Sequence, residues 1–189
     1  MKHAKHVIVI GAGVGGLASA LRLLAMGLRV TVLEAQSTPG GKMRTVPSTA
    51  GPVDAGPTVL TMRWVFDDLF ATLGERLDDH VNLTKADILA RHFWSDGTTL
   101  DLCADPTQSR ANVAAALGTG AATQFSRFSD RAARLFNAFD APMMRAAVPS
   151  SAALTKTVMG DPSLLAAMAP HKTLAGLLSS SFSEPKLRQ

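Results

Sequence analysis

The sequence VIVIGAGVGG, residues 7–16, decides the fold because it joins a strand-forming run to a glycine-rich turn. Its first four residues are all β-branched, which is typical of a strand buried on both faces of a parallel sheet. Gly11, Gly13 and Gly16 then follow the G-x-G-x-x-G pattern. Such glycines allow a tight turn, a close approach of phosphate and tight packing of a helix on the strand. We therefore predict a dinucleotide-binding turn, with Gly15 also among the cofactor-binding residues.

The residues after this turn complete a βαβ unit. Apolar residues recur at helical spacing from Val14 to Leu24, and Gly27 is placed to end that helix. A second strand is predicted at residues 29–33 and ends beside Glu34, which lies 18 residues beyond the glycine pattern. A carboxylate at this distance binds a ribose hydroxyl and repels the 2′-phosphate of NADP, so the spacing leaves NAD and FAD as cofactors.

A second glycine-rich segment, GGKMRT at residues 40–45, stands where a nicotinamide-binding fold would place another crossover helix. Gly40 and Gly41 follow a proline, and these residue types disfavour a helix at this point. The glycines permit a turn close to a pyrophosphate, and Lys42 and Arg44 can neutralise its charge. The local pattern also fits a polar surface loop with two solvated cations.

The charge distribution indicates an anionic ligand near the start of the chain. The 189 residues carry 19 Lys and Arg against 15 Asp and Glu, yet residues 1–44 hold six basic residues and one acidic residue. No basic stripe with interleaved aromatic residues occurs, which argues against nucleic acid as a partner. The single cysteine, Cys103, suits a reducing compartment. Paired-cysteine and H-E-x-x-H motifs are lacking, so no metal site is predicted.

The remainder of the chain predicts an antiparallel hairpin and a series of helices. Ser95-Asp96-Gly97 contains a strong hairpin turn signal between two β-rich runs, and prolines divide the last part of the chain. The predicted elements are a helix capped by Thr61 and ended at Gly74, strands at 88–94 and 98–103, helices at 108–117 and 121–140, and short helices within 142–182.

With these motifs in view, the chain resembles a known family. Residues 7–45 resemble the FAD-binding opening of the flavin amine-oxidase and phytoene-desaturase superfamily. Three later segments resemble bacterial carotenoid desaturases, most of all the hydroxyneurosporene (1-hydroxycarotenoid 3,4-) desaturases. These segments are DAGPTVLTMRWVFDDLF at 54–70, LARHFWSDGTTLDL at 89–102 and FSEPKLRQ at 182–189. The resemblance runs over essentially the whole chain.

The resemblance implies an α/β fold in two parts. Residues 1–75 would form the N-terminal part of an FAD-binding Rossmann-like domain with an incomplete parallel sheet. Residues 76–189 would form part of an α+β substrate-binding domain. The positions that the family uses for FAD match Gly11, Gly13, Gly16, Glu34, Gly40, Gly41, Lys42, Arg44, Gly56, Pro57 and Thr58.

The resemblance also implies an activity. It predicts an FAD-dependent oxidoreductase of carotenoid biosynthesis that desaturates a carbon–carbon bond of a carotenoid and passes electrons to a quinone or to oxygen. The sequence shows no acid–base residue for this reaction, so the catalytic residues are unknown. The expected location is the cytoplasm, and peripheral contact with the inner membrane is a further expectation.

Members of this family are more than twice as long as this chain. We therefore expect an N-terminal piece of a desaturase that is inactive by itself. Two alternatives stay open at this point. One is another flavin oxidase, such as an amine or protoporphyrinogen oxidase, and the other is a non-catalytic nucleotide-binding remnant.

Overall fold

The computed structural model of this chain describes residues 5–57 and 59–189. The chain divides into two compact units, the first ending at Thr84 and the second running from Lys85 to Gln189. The first unit contains a parallel strand pair and the second an antiparallel hairpin, each with helices. The α/β fold with an incomplete parallel sheet is therefore confirmed. The assignment of residues 1–75 to the cofactor and 76–189 to the substrate stays a prediction.

The first unit consists of a βαβ unit, a short hairpin and a further helix. Its elements are β1 (His6–Ile10), α1 (Val14–Ala25), β2 (Arg29–Leu33), β3 (Thr45–Val46), β4 (Val53–Asp54), α2 (Arg63–Ala71) and a 3₁₀ turn (Leu77–Asp79). Strands β1 and β2 are parallel neighbours, with Ile8 opposite Thr31. Helix α1 packs against both of them. The predicted βαβ unit is confirmed.

Helix α1 ends at the predicted glycine. Gly27 has a φ of +77°. Its N–H donates to the carbonyl oxygen of Leu24 at 2.9 Å, and the N–H of Leu28 donates to that of Leu23 at 3.1 Å. This pair of bonds is a Schellman motif, which satisfies carbonyl groups at the end of the helix. The motif reverses the chain so that β2 returns alongside β1.

The strand pair is open on one face, which differs from the burial that its apolar sequence predicts. Ile8 is 57% exposed and Ile10 is 87% exposed, whereas Val7 and Val9 between them are half-buried. An apolar strand is buried on both faces only where a layer packs on each side of the sheet. The described residues supply α1 on one side and leave the other side uncovered.

The start of α2 also differs from the sequence prediction. Thr61 does not cap this helix: the N-cap is Met62, with a left-handed φ of 54°, and no side chain caps the first turn. A threonine caps a helix from the residue immediately before it, where its hydroxyl reaches the first-turn N–H groups. The additional left-handed residue displaces Thr61 from that position.

The second unit packs a β-hairpin against helices. Its elements are β5 (Ile88–Phe93), β6 (Thr99–Cys103), α3 (Pro106–Leu117), α4 (Thr119–Phe139), a π-helical turn (Asp140–Met144), α5 (Ser151–Gly160), α6 (Ser163–Met168), α7 (Leu174–Ser181) and a 3₁₀ turn (Pro185–Arg188). The predicted strands and the two predicted long helices are confirmed to within two residues. No helix in the described part of the chain is both long and apolar enough to cross a membrane.

The last residues of the chain hold the tip of the hairpin. Lys186 Nζ lies 2.5 Å from both Asp96 Oδ2 and Thr98 Oγ1. It also lies 5.4 Å from the centroid of the Trp94 ring, whose Nε1 donates to Gln189 Oε1 at 2.9 Å. The Lys186 ammonium holds the pKa of the Asp96 carboxyl well below its usual range. These contacts join segments about 90 residues apart within the second unit.

Helix α3 lies between the hairpin and α4 and contributes the centre of the core. Val113 of α3 is 0% exposed and packs in a cluster with Leu100 of β6 and with Ala121 and Ala122 of α4. The small alanines let α4 approach α3 closely. Val113 is therefore the most deeply buried large side chain of this unit among the described residues.

We expect Val113→Ala to lower the free energy of unfolding by about 2 kcal/mol, because it removes two buried methyl groups and leaves a cavity. Urea unfolding followed by circular dichroism measures this change. The matched control is Val148→Ala, since Val148 is 82% exposed, and its effect should stay below about 0.5 kcal/mol. Equal losses in the two variants would contradict the position of the core.

Candidate functional site

The turn between β1 and α1 requires glycine at two positions. Gly11 has a φ of +96°, and its N–H donates to the carbonyl oxygen of Leu33 at 2.7 Å. A Cβ added at Gly16 would lie 1.9 Å from the carbonyl oxygen of Gly11. Glycine at position 16 therefore lets the helix sit directly against the end of the strand. A Cβ added at Gly15 would meet no atom within 4 Å, so Gly15 has no steric role in this turn.

The first turn of α1 is open to an anion. Its N-cap is Gly13, which has an extended backbone and no capping side chain. The first N–H groups of a helix have no partner within the helix, and the dipole places partial positive charge there. The first turn contains no acidic residue. These are the conditions under which a helix N-terminus binds phosphate.

Glu34 ties the glycine turn to the end of β2. Its Oε2 accepts a hydrogen bond from the N–H of Ala12 at 2.6 Å, and its Oε1 accepts one from the N–H of Gln36 at 2.9 Å. These bonds, from Gln36 first and then Ala12, lower the pKa of Glu34 from its ordinary value. The carboxylate therefore positions the turn, a role that the sequence did not predict. Its contact with a ribose stays a prediction.

The second glycine pair lies directly against the first glycine motif. The N–H of Gly40 donates to the carbonyl oxygen of Ala12 at 2.9 Å. A Cβ added at Gly41 would lie 3.0 Å from the Cα of Gly13. Both glycines have positive φ, of +124° at Gly40 and +61° at Gly41. These contacts hold the segment within the glycine site. It is therefore not the solvated surface loop that the sequence left as an alternative.

A third glycine position packs on the basic segment. A Cβ added at Gly56 would lie 2.2 Å from the carbonyl oxygen of Lys42. The N–H of Ala55 donates to the carbonyl oxygen of Arg44 at 2.9 Å. Because these contacts hold residues 55–56 against residues 42–44, Pro57 reaches the same space as the two glycine motifs.

These segments border a cavity of about 760 Å³. Five of the predicted site residues line it: Gly13, Gly40, Gly41, Lys42 and Pro57. Gly11, Gly16 and Gly56 shape its walls through the close approaches described above. Gly15, Glu34 and Arg44 do not line the cavity, and Thr58 lies outside the described residues. The structure therefore brings most of the predicted residues together around one space.

Sequence reasoning missed the apolar wall of this cavity. Val59, Leu60 and Phe66 line it, together with Thr61, the residue that was expected to cap α2. The sequence contains a signal, because Phe66 belongs to the apolar pattern of α2. Periodicity identifies an inward-facing side chain, but it does not separate a core from a cavity wall.

The two cations of the basic segment are available to a ligand. Lys42 lines the cavity, and Arg44 lies two residues further along the chain. Among the described residues, neither side chain makes an ion pair or a hydrogen bond. Their charge therefore adds to that of the open helix start, and the site as a whole favours an anion.

Comparison with known proteins gives a family and relatives. The family described as flavin containing amine oxidoreductase matches residues 14–175. A hydroxyneurosporene desaturase of Cereibacter sphaeroides is 52% identical over 97% of this chain and 37% of its own length. Another, of Rhodobacter capsulatus, is 43% identical over 100% of this chain and 38% of its own length. The chain therefore spans well under half the length of these relatives.

A solved structure has the same fold. A putrescine oxidase matches with a TM-score of 0.51 and 18% identity, over 97% of this chain and 35% of that one. At this identity the likeness concerns the fold alone.

The close contact at Gly16 predicts opposite effects for two neighbouring substitutions. Gly16→Ala should lower the free energy of unfolding by about 2–3 kcal/mol, because the new methyl group overlaps the carbonyl of Gly11. Gly15→Ala should raise it by up to about 1 kcal/mol, since alanine favours a helix and meets no neighbour here. Thermal unfolding followed by circular dichroism compares the two. A loss at Gly15 equal to that at Gly16 would contradict this geometry.

The Glu34 carboxylate predicts a pH-dependent stability. Because its pKa is lower in the folded chain, its stabilising effect is present above its ordinary pKa of 4.5 and is lost as the pH falls through the folded value. Wild type should therefore be more stable than Glu34→Gln at pH 7, and the difference should disappear on acidification. Urea midpoints measured from pH 7 to pH 3 test this.

The control for this series is Asp79→Asn, which removes an exposed carboxylate of the same unit. Convergence that is confined to Glu34→Gln assigns the pH dependence to that carboxylate, because Asp79→Asn removes the same charge. A constant gap between wild type and Glu34→Gln at all pH values would show that the ionised carboxylate is not the cause.

Proposed function

Because the chain belongs to the flavin containing amine oxidoreductase family, we propose that the whole protein uses FAD to desaturate a carotenoid. The observation that carries this proposal is the identity of 52% with a hydroxyneurosporene desaturase over 97% of the chain. The substrate class proposed for the whole protein is accordingly a hydroxylated acyclic carotenoid.

The residues of the first unit fit FAD. The glycine motifs leave backbone without side chains around the start of α1, which is the space that a diphosphate needs. The N–H groups of the first helical turn and Lys42 supply positive charge there. We propose that Gly13, Gly41 and Lys42 hold the diphosphate and that Glu34 and Arg44 contact the adenosine ribose. When bound, FAD supplies the two-electron chemistry that removes two hydrogens from a carbon–carbon single bond.

The apolar wall supports the same proposal. Val59, Leu60 and Phe66 give the cavity an apolar surface that suits a flat apolar ring system. Among its described lining residues, only Lys42 and Thr61 have polar side chains, and neither is a carboxylate or an imidazole. A saturated carbon–carbon bond carries no polar group for such a residue to act upon. This wall therefore fits a reaction in which the protein positions and shields its reactants.

Further parts of the proposal rest on the likeness to carotenoid desaturases. They are a quinone or oxygen as the electron acceptor and peripheral contact with a membrane. The likeness to putrescine oxidase, at 18% identity, concerns the fold alone. Oxidation of an amine is therefore treated only as one result that the chimera experiment below can give.

The decisive experiment is a chimera. The 189 residues replace the matching segment of the Cereibacter sphaeroides relative, and the product is purified with FAD and given hydroxyneurosporene. Desaturation lengthens the conjugated system, so the carotenoid absorption should move to longer wavelength. The same chimera with Gly16→Ala serves as the inactive control. A chimera that retains FAD, leaves the carotenoid unchanged and forms hydrogen peroxide from putrescine would overturn the proposal.

The basic segment predicts the behaviour of FAD binding by the chain itself. Lys42→Gln should raise the Kd for FAD about tenfold, because a charge-assisted contact with phosphate is lost. The difference should shrink at high salt. Quenching of FAD fluorescence during a protein titration measures both effects. The control is Lys5→Gln, the same change at the opposite end of β1, which should leave the Kd unaltered.

A further inference from the structure

The second unit contains a polar cavity of about 350 Å³ between α4 and the C-terminal end of α7. Four lining residues lie on α4 and two on α7. They are Gln124, Arg127, Phe128, Arg131, Ser180 and Ser181. The set contains two guanidinium groups and no carboxylate. The lining side chains therefore carry two positive charges and several hydrogen-bond donors.

The donors on α4 share one face of the helix. Gln124, Arg127 and Arg131 are spaced three and four residues apart, and such residues are neighbours along a helix surface. Two like charges one turn apart destabilise a helix unless a counter-charge lies near them. Asp130, three residues from Arg127, is the acidic residue of this helix that lies nearest in sequence, and among the described residues no ion pair joins it to either arginine.

The two arginines of the cavity lack such a partner among the described residues. No ion pair or hydrogen bond is recorded there for the side chain of Arg127, which is exposed. Arg131 is held in place by its Nε, which donates to the carbonyl oxygen of Ala167 at 2.7 Å. Its Nη2 is buried without an acceptor. Nη2 is closed to solvent and Nε is already used, so the nitrogen that Arg131 can offer within the cavity is Nη1.

The next arginine of the helix shows the contrast. Arg134 pairs with Asp161 at 2.6 Å. An acidic partner thus exists for the arginine that lies away from the cavity, while the two that border the cavity have none. The unpaired state of Arg127 and Arg131 is therefore a local property of this cavity.

The side of the cavity formed by α7 has one hydroxyl group left for a ligand, that of Ser181, because Ser180 Oγ already donates to the carbonyl oxygen of Leu177 at 2.9 Å. Lys172 Nζ donates to Ser180 Oγ at 3.0 Å, which brings a third cation to the rim. Arg188 donates to the carbonyl oxygens of Phe182 and Ser183 at 2.8 and 3.0 Å, so these oxygens beyond α7 already have a partner.

Gln124 contributes one further donor. Its Oε1 accepts from both the N–H and the hydroxyl group of Ser183, at 2.9 and 3.1 Å. The acceptor end of this amide is therefore occupied, and its NH₂ group is left to donate to a ligand.

We propose that this cavity binds a phosphate group, carried either by a phospholipid headgroup or by a soluble phosphate compound. Phosphate offers up to two negative charges and several acceptor oxygens, which match the Arg127 guanidinium, one nitrogen of Arg131, the Gln124 amide and the Ser181 hydroxyl group. The site lies wholly within the second unit and shares no residue with the glycine cavity. It therefore goes beyond the proposed FAD chemistry and does not depend on it.

The test compares Arg127→Gln with Arg110→Gln in the 189-residue chain. Arg127 is exposed, and within the described residues its side chain makes no hydrogen bond or ion pair, so its substitution is expected to remove a ligand contact and to leave the fold intact. Arg110 is an exposed arginine of α3 that does not line this cavity, and its substitution changes the net charge equally. Circular dichroism verifies that both variants fold as wild type does.

Two probes are titrated at constant ionic strength: inorganic phosphate, followed by calorimetry, and phosphatidylcholine vesicles that contain phosphatidic acid, followed by flotation. Arg127→Gln should weaken binding about tenfold, as expected for one charge-assisted contact, and Arg110→Gln should bind as wild type does. An Arg127-dependent vesicle signal that free phosphate competes away identifies a lipid headgroup as the source. Dependence on Arg127 for inorganic phosphate alone identifies a soluble compound.

Two results would overturn the proposal. The first is an absence of phosphate binding together with equal vesicle binding by wild type and Arg127→Gln. The second is an equal loss in Arg127→Gln and Arg110→Gln, because that pattern reports the overall charge of the chain and no particular site.

Discussion

The close contact between the end of β1 and the start of α1 is the constraint on which the first unit depends. A single methyl group at Gly16 would lie 1.9 Å from the carbonyl oxygen of Gly11, so only a chain without that side chain can turn here. Because the helix starts so close to the strand, its first N–H groups lie beside the second glycine pair. The close approach of α1 to β1 thus explains both why glycine is required at position 16 and why free N–H groups lie at the site.

Ala12 connects the three segments of the site through its main chain. Its N–H donates to Glu34 beyond β2, and its carbonyl oxygen accepts from Gly40 of the second glycine pair. The residue is only 4% exposed, and both bonds help to hold the turn. A change at Glu34 therefore acts on the glycine site through the position of this peptide.

Two kinds of charged side chain stand out in this protein. One group closes the structure: Arg91 makes a two-pronged contact with Asp101 across the hairpin, and Lys186 pairs with Asp96 at its tip. The other group, which includes Lys42 and Arg127, has no recorded protein partner within the described residues and borders a cavity. Each of the two proposed binding sites thus contains a cation that the fold does not use.

The sequence by itself determined the βαβ unit, the hairpin and the helices, because each depends on local periodicity and turn chemistry. It also identified both glycine motifs separately. Only the tertiary structure decided that the motifs touch, since the bond between Gly40 and Ala12 joins residues that no local pattern relates. The apolar wall at Phe66 and the exposed face at Ile10 were settled in the same way. An apolar pattern predicts which side chains avoid water. The packing of distant segments then determines whether those side chains lie in a core, line a cavity or stay exposed.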